Sequence, residues 1–292
     1  MSVQIIARVQ QIMDCLVAEQ ISPLVAANNH IEFALACLGD ADSRAAYSNE
    51  LVFTALRRVV GDAAAHSFAN DVNAAAWESA VKLTAKAIEE HKIPVLTTSL
   101  APTHPTLMPL YTSVFTLNAA AHGDAAPHKG DVMLDVGAQF GETAVWAIGQ
   151  DVKTVYAFEA GADAFKALKK NASTHGDNRI SPVQAVVAAE EGSYRVDGKK
   201  PVDIPMITLD AWCKKQKVSP NFIRINLTGA LSALMGSKET IKKVRPRMAI
   251  NIGAHLPDMW QVPLVLKDWV PEYRMACRKN SVHGGFFLYV AI

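Results

Sequence analysis

Hydrophobic and polar residues follow a helical pattern in the first third of the chain. Apolar residues recur every three or four positions in four runs, which predict helices near residues 2–20, 31–38, 42–60 and 71–91. The Ala-rich composition also favours helix, and no fixed-period repeat indicates a solenoid. We therefore predict that residues 1–105 form a small helical region that serves as a lid or as the interface of a homodimer.

The pattern changes after a proline-rich connector over residues 93–128. Short apolar runs then alternate with helical segments, and the chain ends in a hairpin pattern. The predicted strands are Val132–Gly137, Thr154–Glu159, Ile180–Val187, Phe222–Leu227 and Arg247–Ile252, the predicted helices are Glu142–Gly149, Ala162–His175, one that runs through Val244 and one around Pro263–Trp269, and the predicted hairpin joins Tyr273–Arg278 to Gly285–Ala291. This alternation predicts a doubly wound α/β fold over residues 106–292, with a mostly parallel seven-stranded sheet and a C-terminal antiparallel hairpin.

Composition and charge narrow the classes of function. The 292 residues carry a formal net charge of +1, so we expect no large basic surface for nucleic acid. The four cysteines form no CxxC pair, which argues against a metal or redox site and is typical of a cytoplasmic protein. The chain shows neither the pattern of a signal peptide nor an apolar run of about 18 residues, so we expect no membrane span.

The segment Asp135–Glu142, DVGAQFGE, is the best candidate for a ligand-binding turn. It follows a predicted buried strand, and its glycines, Gly137 and Gly141, permit a tight turn and close packing of the next helix. Its G-x-x-x-G spacing differs from the G-x-G-x-x-G of a dinucleotide site. Asp135 can accept a hydrogen bond from an ammonium group, which suits a zwitterionic ligand better than a pyrophosphate. An NAD-dependent oxidoreductase is therefore the weaker alternative, and a purely structural glycine turn also remains open.

A second acid, Glu159, ends the next predicted strand about 20 residues after the glycine turn. A carboxylate at this place can bind both hydroxyls of the ribose in an adenosine ligand. NAD enzymes and methyltransferases share this feature, so it does not separate them. A solvated glutamate at the end of a strand is the alternative interpretation.

Nine segments, in order along the chain, resemble the FkbM family of S-adenosylmethionine-dependent methyltransferases. The segments are Lys129–Thr143, Val155–Ala160, Phe165–Asn171, Ile207–Trp212, Pro220–Ala230, Arg245–His255, Trp260–Lys267, Pro271–Arg274 and Leu288–Ala291. The resemblance covers the chain from about Tyr111 to its end, and Leu38–Arg44 is similar to a helical extension of some members. It implies a class I methyltransferase fold with S-adenosylmethionine as the cofactor.

The resemblance also implies roles for particular residues. Asp135, Gly137 and Gly141 would line the methionine end of the cofactor, and Glu159 would hold its ribose. The loop after Val186, beginning with Val187, would lie near the adenine. Asn226, at the end of one strand, would reach the reacting methyl group, with His255 at the end of the next.

The chain departs from the family pattern I-K-x-D-x-E-G-x-E in the segment Ile223–Leu231. Asn226, Thr228 and Leu231 replace three acids, so if those acids act as general base or metal ligands in relatives, this chain has lost them. Two smaller departures are Ala160, in place of a proline, and Lys279, in place of a frequent histidine.

Two functions remain open from the sequence. The first is O-methylation of a hydroxyl on a small molecule or glycan, with His255 as the general base and Asn226 holding the acceptor. In the alternative, His255 only packs against Trp260, and the domain is a binding or interaction protein that has lost its catalytic acids. We expect His283, in a glycine-flanked turn, to be an ordinary loop residue.

Overall fold

The computed structural model covers most of the chain. It describes residues 22–60, 74–98, 107–196, 202–279 and 285–292, together with Asp14 and His104. The first predicted helix, apart from Asp14, and the predicted loop residue His283 lie outside the described residues. Within these ranges, every helix is too short or too polar to cross a bilayer.

Three of the four predicted N-terminal helices are confirmed. They are α1, Asn28–Ala36, α2, Ala41–Val60, and α3, Ala74–Glu89. At the start of α2, the carboxylate of Asp40 accepts hydrogen bonds from the backbone N–H and the hydroxyl of Ser43. This cap satisfies a backbone donor that the helix itself leaves unpaired.

The C-terminal part contains ten strands in the described ranges. They are β1 Val132–Val136, β2 Thr154–Phe158, β3 Ile180–Val183, β4 Val186–Val187, β5 Gly192–Val196, β6 Val202–Ile207, β7 Phe222–Ile225, β8 Arg247–Asn251, β9 Arg274–Lys279 and β10 Phe286–Ala291. Seven of them form one sheet in the order β3-β2-β1-β7-β8-β10-β9, and β10 pairs antiparallel with both of its neighbours. The predicted doubly wound, mostly parallel sheet with a C-terminal hairpin is therefore confirmed.

Helices connect and cover these strands. They are α4 Met108–Tyr111, which continues as a π-helical turn over Thr112–Thr116, α5 Glu142–Gly149, α6 Ala162–His175, α7 Leu209–Gln216, α8 Ala230–Met235, α9 Lys238–Val244 and α10 Asp258–Trp269. The predicted α5 and α6 have the observed bounds. The single helix that the sequence predicts through Val244 is wrong, because the chain breaks between α8 and α9. At the break, a side chain on Gly236 would overlap the carbonyl oxygen of Ala188.

The single strand that the sequence predicts over Ile180–Val187 is also wrong. After β3, the chain leaves the main sheet, and β4 pairs with β6 in a separate three-stranded sheet. The apolar pattern alone does not reveal this change because both short strands are apolar. The pattern also misses β6, since Pro205 makes that segment an unusual strand.

Successive side chains of the central strands point to opposite faces of the sheet, which gives two separate cores. On β1, Leu134 and Val136 point into one core and Met133 into the other. On β7, Ile223 and Ile225 belong to the first core and Phe222 to the second. Both faces of the sheet are therefore covered by helices, as expected for a parallel sheet.

The N-terminal helices α1 and α2 dock on the β9 edge and on α10. The backbone N–H of Gly39 donates to the carbonyl of Met275, and that of Cys277 donates to the hydroxyl of Ser43. The buried hydroxyl of Tyr47 donates to the carbonyl of Met259 in α10. These contacts tie the two helices to the sheet, whereas a domain boundary at residue 105 stays a prediction.

A buried ion pair between Lys279 and Glu50 joins the end of β9 to α2. The ammonium lies 2.6 Å from the carboxylate, and the two side chains are 6% and 7% exposed. The same ammonium lies 4.0 Å from the centre of the Phe53 ring. Lys279 therefore has its partners in the N-terminal part of this chain.

Replacing Glu50 by alanine should lower the free energy of unfolding by about 3–5 kcal/mol, because it leaves the Lys279 ammonium buried without its carboxylate. Denaturant titration followed by circular dichroism measures the change. The control Lys86→Ala, which breaks an exposed pair with Glu90, should have little effect. Replacing Glu50 and Lys279 together by leucine and methionine should recover most of the loss; no recovery would contradict a role for the pairing.

Candidate functional site

The candidate site lies where four neighbouring strands of the main sheet end. The loops that follow β1, β2, β7 and β8 begin at Gly137, Glu159, Asn226 and Ile252. Because these strands are parallel, their carboxyl ends lie at one edge of the sheet. Ligands of open α/β sheets bind at this edge.

The glycine turn after β1 requires both of its glycines. Gly137 has a φ of +79°, and a side chain there would overlap the backbone carbonyl of Asn226. Gly141 has a φ of +86°, and a Cβ atom there would lie 2.6 Å from Cδ1 of Leu168. The left-handed backbone therefore selects glycine at both positions, and at Gly137 the backbone carbonyl of Asn226 also leaves no room for a side chain.

Glu159 lies directly beside this turn, as its spacing predicts. One carboxylate oxygen accepts from the backbone N–H of Gln139 at 2.9 Å, and the other accepts from that of Gly161 at 2.7 Å. Desolvation raises the pKa of this half-buried carboxyl, and the backbone N–H groups around it oppose the shift. The side chain is thus held in one orientation at the end of β2.

Asn171, on α6, ties the glycine turn to the segment after α3. Its side-chain N–H groups donate to the carbonyls of Phe140 and Thr97, and its oxygen accepts from the N–H of Thr97. The residue is completely buried. Asn171 was not among the predicted site residues, although it follows Phe165 and Leu168 on the predicted buried side of its helix.

Two asparagines meet at the ends of β7 and β8. The side-chain oxygen of Asn226 accepts from the side-chain amide of Asn251 at 3.0 Å. The oxygen of Asn251 in turn accepts from the backbone N–H of Gly253. This chain of hydrogen bonds orients the Asn226 amide, so that its own N–H groups are the donors that it can offer to a ligand. Asn251 was not among the residues predicted from the sequence.

His255, in the loop after β8, is oriented by a buried carboxylate. Its Nδ1 atom lies 3.2 Å from Oδ1 of Asp258, which is completely buried, while the imidazole is half exposed. The other oxygen, Oδ2, accepts from the backbone N–H of Ala230 at 2.6 Å. Asp258 therefore connects the loop of His255 to the loop that follows Asn226. Asp258 was not among the residues predicted from the sequence, because the hydrophobic pattern does not show which acids at helix starts have buried side chains.

Val187 lies in the core on β4. Its side chain is buried, and its backbone pairs with Ile207 of β6. Because this side chain is buried, an adenine would have to contact the backbone of Val187 or the residues that follow it. The predicted place of Val187 beside the adenine stays a prediction.

Asp135 lies below the glycine turn and does not reach its surface. Its side chain is completely buried, and Oδ1 accepts from Nη1 of Arg224 on β7 at 2.9 Å. These two residues are also direct neighbours across β1 and β7. Asp135 therefore links two central strands in this structure, and its predicted contact with the methionine end of a cofactor stays a prediction.

Glu142, at the start of α5, is a second buried acid near this pair. Neither carboxylate oxygen has a hydrogen-bond partner among the described side chains and backbone. Desolvation raises the pKa of Glu142 to about 7, with Arg224 opposing the shift and Asp135 adding to it. Glu142 is therefore largely protonated in the folded protein below neutral pH.

Glu142 should make the stability of the fold depend on pH. A carboxyl whose pKa is higher in the folded state stabilises the fold fully at low pH, and this contribution is lost as pH rises toward the folded-state value. Between about pH 4 and pH 8, the free energy of unfolding should therefore fall by about 3 kcal/mol more in wild type than in Glu142→Gln. Urea titrations at several pH values measure this, with Asp163→Asn, an exposed acid on α6, as the control. Parallel pH profiles for wild type and Glu142→Gln would contradict the shifted pKa.

The structure thus brings most of the sequence-predicted site residues to one edge of the sheet. Gly137 packs against Asn226, and Glu159 holds the glycine turn that also contains Gly141. His255 lies on the neighbouring loop. Their functional roles remain predictions.

Comparison with known proteins places the fold. No protein-family model and no curated protein match the sequence. Among solved structures, methyltransferase FkbM from Methylobacillus flagellatus KT is similar, with 17% identity and a TM-score of 0.61 over 92% of this chain. The match covers 60% of that protein, so the chain spans less than two thirds of its length.

Two further similarities are weaker. Precorrin-6y C5,15-methyltransferase from Geobacter metallireducens GS-15 has 13% identity and a TM-score of 0.43, with 68% of this chain and 93% of that chain covered. An S-adenosylmethionine-dependent methyltransferase from Aquifex aeolicus has 17% identity and a TM-score of 0.36, with 57% and 85% covered. The strand order and the FkbM structure together show that the chain has the class I methyltransferase fold that its sequence predicts.

Proposed function

We propose that the protein binds S-adenosylmethionine at the glycine turn and transfers its methyl group to a hydroxyl of a small molecule or glycan. The observation that carries the first part is the carboxylate of Glu159, fixed by the N–H groups of Gln139 and Gly161 at the carboxyl end of β2. Ligands of open α/β sheets bind at this edge of the sheet, which supports the proposal.

The residues present fit the ribose of this cofactor. A carboxylate has about four lone-pair positions, and Glu159 uses one on each oxygen for a backbone N–H. The remaining positions can accept hydrogen bonds from two neighbouring hydroxyls. Glu159 is also only half buried, so a ligand at the edge of the sheet can reach it.

His255 is the candidate base for the acceptor hydroxyl. When bound, S-adenosylmethionine supplies an electrophilic methyl group. Because an ionised carboxylate only accepts hydrogen bonds, Asp258 favours the tautomer of His255 that carries its proton on Nδ1. The basic lone pair is then on Nε2, where it can take the proton of a hydroxyl as that oxygen becomes the nucleophile.

Asn226 is the candidate donor that holds the acceptor. Its oxygen is occupied by Asn251, so its amide N–H groups would bind an oxygen of the acceptor. It cannot remove a proton, which leaves this step to His255. Positioning of this kind contributes strongly to bimolecular reactions.

The alternative is a binding protein that keeps the fold without the chemistry. One observation favours it: Asn226 and Asn251, rather than acids, occupy the ends of the two strands beside the glycine turn. In that case, the cofactor or a related nucleoside would bind without turnover.

Titration calorimetry of the full chain with S-adenosylmethionine tests the cofactor site. We expect micromolar binding that weakens at least ten-fold in Glu159→Ala, since hydrogen bonds to a charged group are lost. Asp163→Asn is the matched control, because it removes a nearby exposed carboxylate outside the site. NAD should not bind. Equal affinity of wild type and Glu159→Ala would exclude the proposed place of the ribose.

The orientation of His255 can be tested without knowing the acceptor. Nitrogen-15 NMR should show the neutral imidazole protonated on Nδ1 in wild type. In Asp258→Asn, the new amide can still accept from Ala230 and would present N–H groups to Nδ1, so the proton should move to Nε2. An unchanged tautomer would mean that Asp258 does not orient the ring.

Once an acceptor is found by a labelled-methyl screen, His255→Ala should reduce turnover by about 10²- to 10⁴-fold and leave cofactor affinity unchanged. Turnover that survives this substitution would remove His255 as the base. Cofactor binding without any methylated acceptor would favour the binding protein.

A further inference from the structure

A cavity lies away from the glycine turn, in a groove between α7 and α9. Its volume is about 840 Å³, within the range of about 300–1,000 Å³ that is typical of small-molecule sites. The groove is lined by residues of α7, of the loop that follows it and of α9, among them Ala211, Cys213, Lys214, Lys217, Lys243 and Val244. None of these residues belongs to the candidate methyltransferase site.

The floor of the groove is apolar. Ala211, Val218 and Val244 contribute aliphatic surface, and Cys213 is almost completely buried. Burial raises the pKa of the Cys213 thiol to about 11, so the side chain stays neutral and behaves as a small apolar group. The stems of lysines at the rim add further hydrocarbon surface.

Three lysines, Lys214, Lys217 and Lys243, give the groove its cationic rim. Among the described residues, the lysines that form ion pairs lie elsewhere; they are Lys86, Lys92, Lys129 and Lys279. Of the two acids in the lining, Asp210 accepts from the N–H groups of Glu239 and Thr240 at the start of α9. Its charge is therefore directed at the helix start. The other acid, Glu239, is exposed, so the three lysines outnumber the two acids and leave the lining with a net positive charge.

We propose that this groove binds a small amphiphile, whose anionic group pairs with Lys214, Lys217 and Lys243 and whose aliphatic chain lies over Cys213. The charge of the rim selects an anion, and the apolar floor selects a hydrocarbon chain. A free amphiphile fits better than a membrane surface because the chain must enter a groove between two helices. This site is independent of the proposed methyl transfer.

The chain offers matched controls on the same two helices. Lys215 and Lys242 adjoin groove lysines in sequence and are exposed, but they do not line the groove. They also lie in the last turns of α7 and α9, where they complement the helix dipoles as Lys214 and Lys243 do. A ligand that pairs with the rim should lose affinity when a groove lysine is replaced and keep it when Lys215 or Lys242 is replaced.

Calorimetric titration of the full chain with dodecanoate, below its micelle concentration, tests the site. Each of Lys214→Gln, Lys217→Gln and Lys243→Gln should weaken binding about two- to five-fold, and the triple variant at least ten-fold. Lys215→Gln and Lys242→Gln should bind as wild type does. Dodecanol, which lacks the charge, should bind at least ten-fold more weakly, and added salt should weaken dodecanoate binding.

A variant that fills the groove, Ala211→Phe, should also block dodecanoate; if it fails to fold, the lysine series still decides. The proposal is overturned if dodecanoate does not bind, or if Lys215→Gln and Lys242→Gln weaken binding as much as the groove variants do. Binding only to phosphatidylglycerol vesicles, with no affinity for free dodecanoate, would likewise overturn it in favour of a membrane surface.

Discussion

The close approach of β1 and β7 is the constraint on which the rest of the site depends. The buried Asp135–Arg224 pair joins these strands side by side, and the turn after β1 then packs directly on the backbone of Asn226. Only glycine fits at position 137 under that contact. The same turn places the N–H of Gln139 against the carboxylate of Glu159. The contact between β1 and β7 therefore determines how the ends of β1, β2 and β7 are arranged.

The loops beyond β7 and β8 are coupled in a similar way. Asp258 bridges His255 and the N–H of Ala230, and Asn251 bridges Asn226 and Gly253. These hydrogen bonds orient His255, which we propose as the base, and Asn226, which we propose as the donor to the acceptor. Because an asparagine amide cannot remove a proton, the proposed methyl transfer requires His255 as the base.

Much of the fold could be predicted from the sequence because buried parallel strands are apolar runs that alternate with helices. The positions of Gly137, Gly141 and Glu159 beside one another were also predictable, since they depend on local spacing. Residues that act through contacts across the fold were not: Arg224 and Asn251 read as ordinary strand residues, and their partners lie 89 and 25 positions away. The break at Gly236 was missed for the same reason, because the carbonyl that it meets belongs to β4's neighbour Ala188.

A crystal structure of the full chain with S-adenosylhomocysteine, the demethylated form of the cofactor, tests the cofactor site most directly. We predict that the ribose hydroxyls lie within hydrogen-bond distance of the Glu159 carboxylate, beside the turn from Gly137 to Gly141. A ligand bound elsewhere, with Glu159 free of it, would contradict the proposed cofactor site.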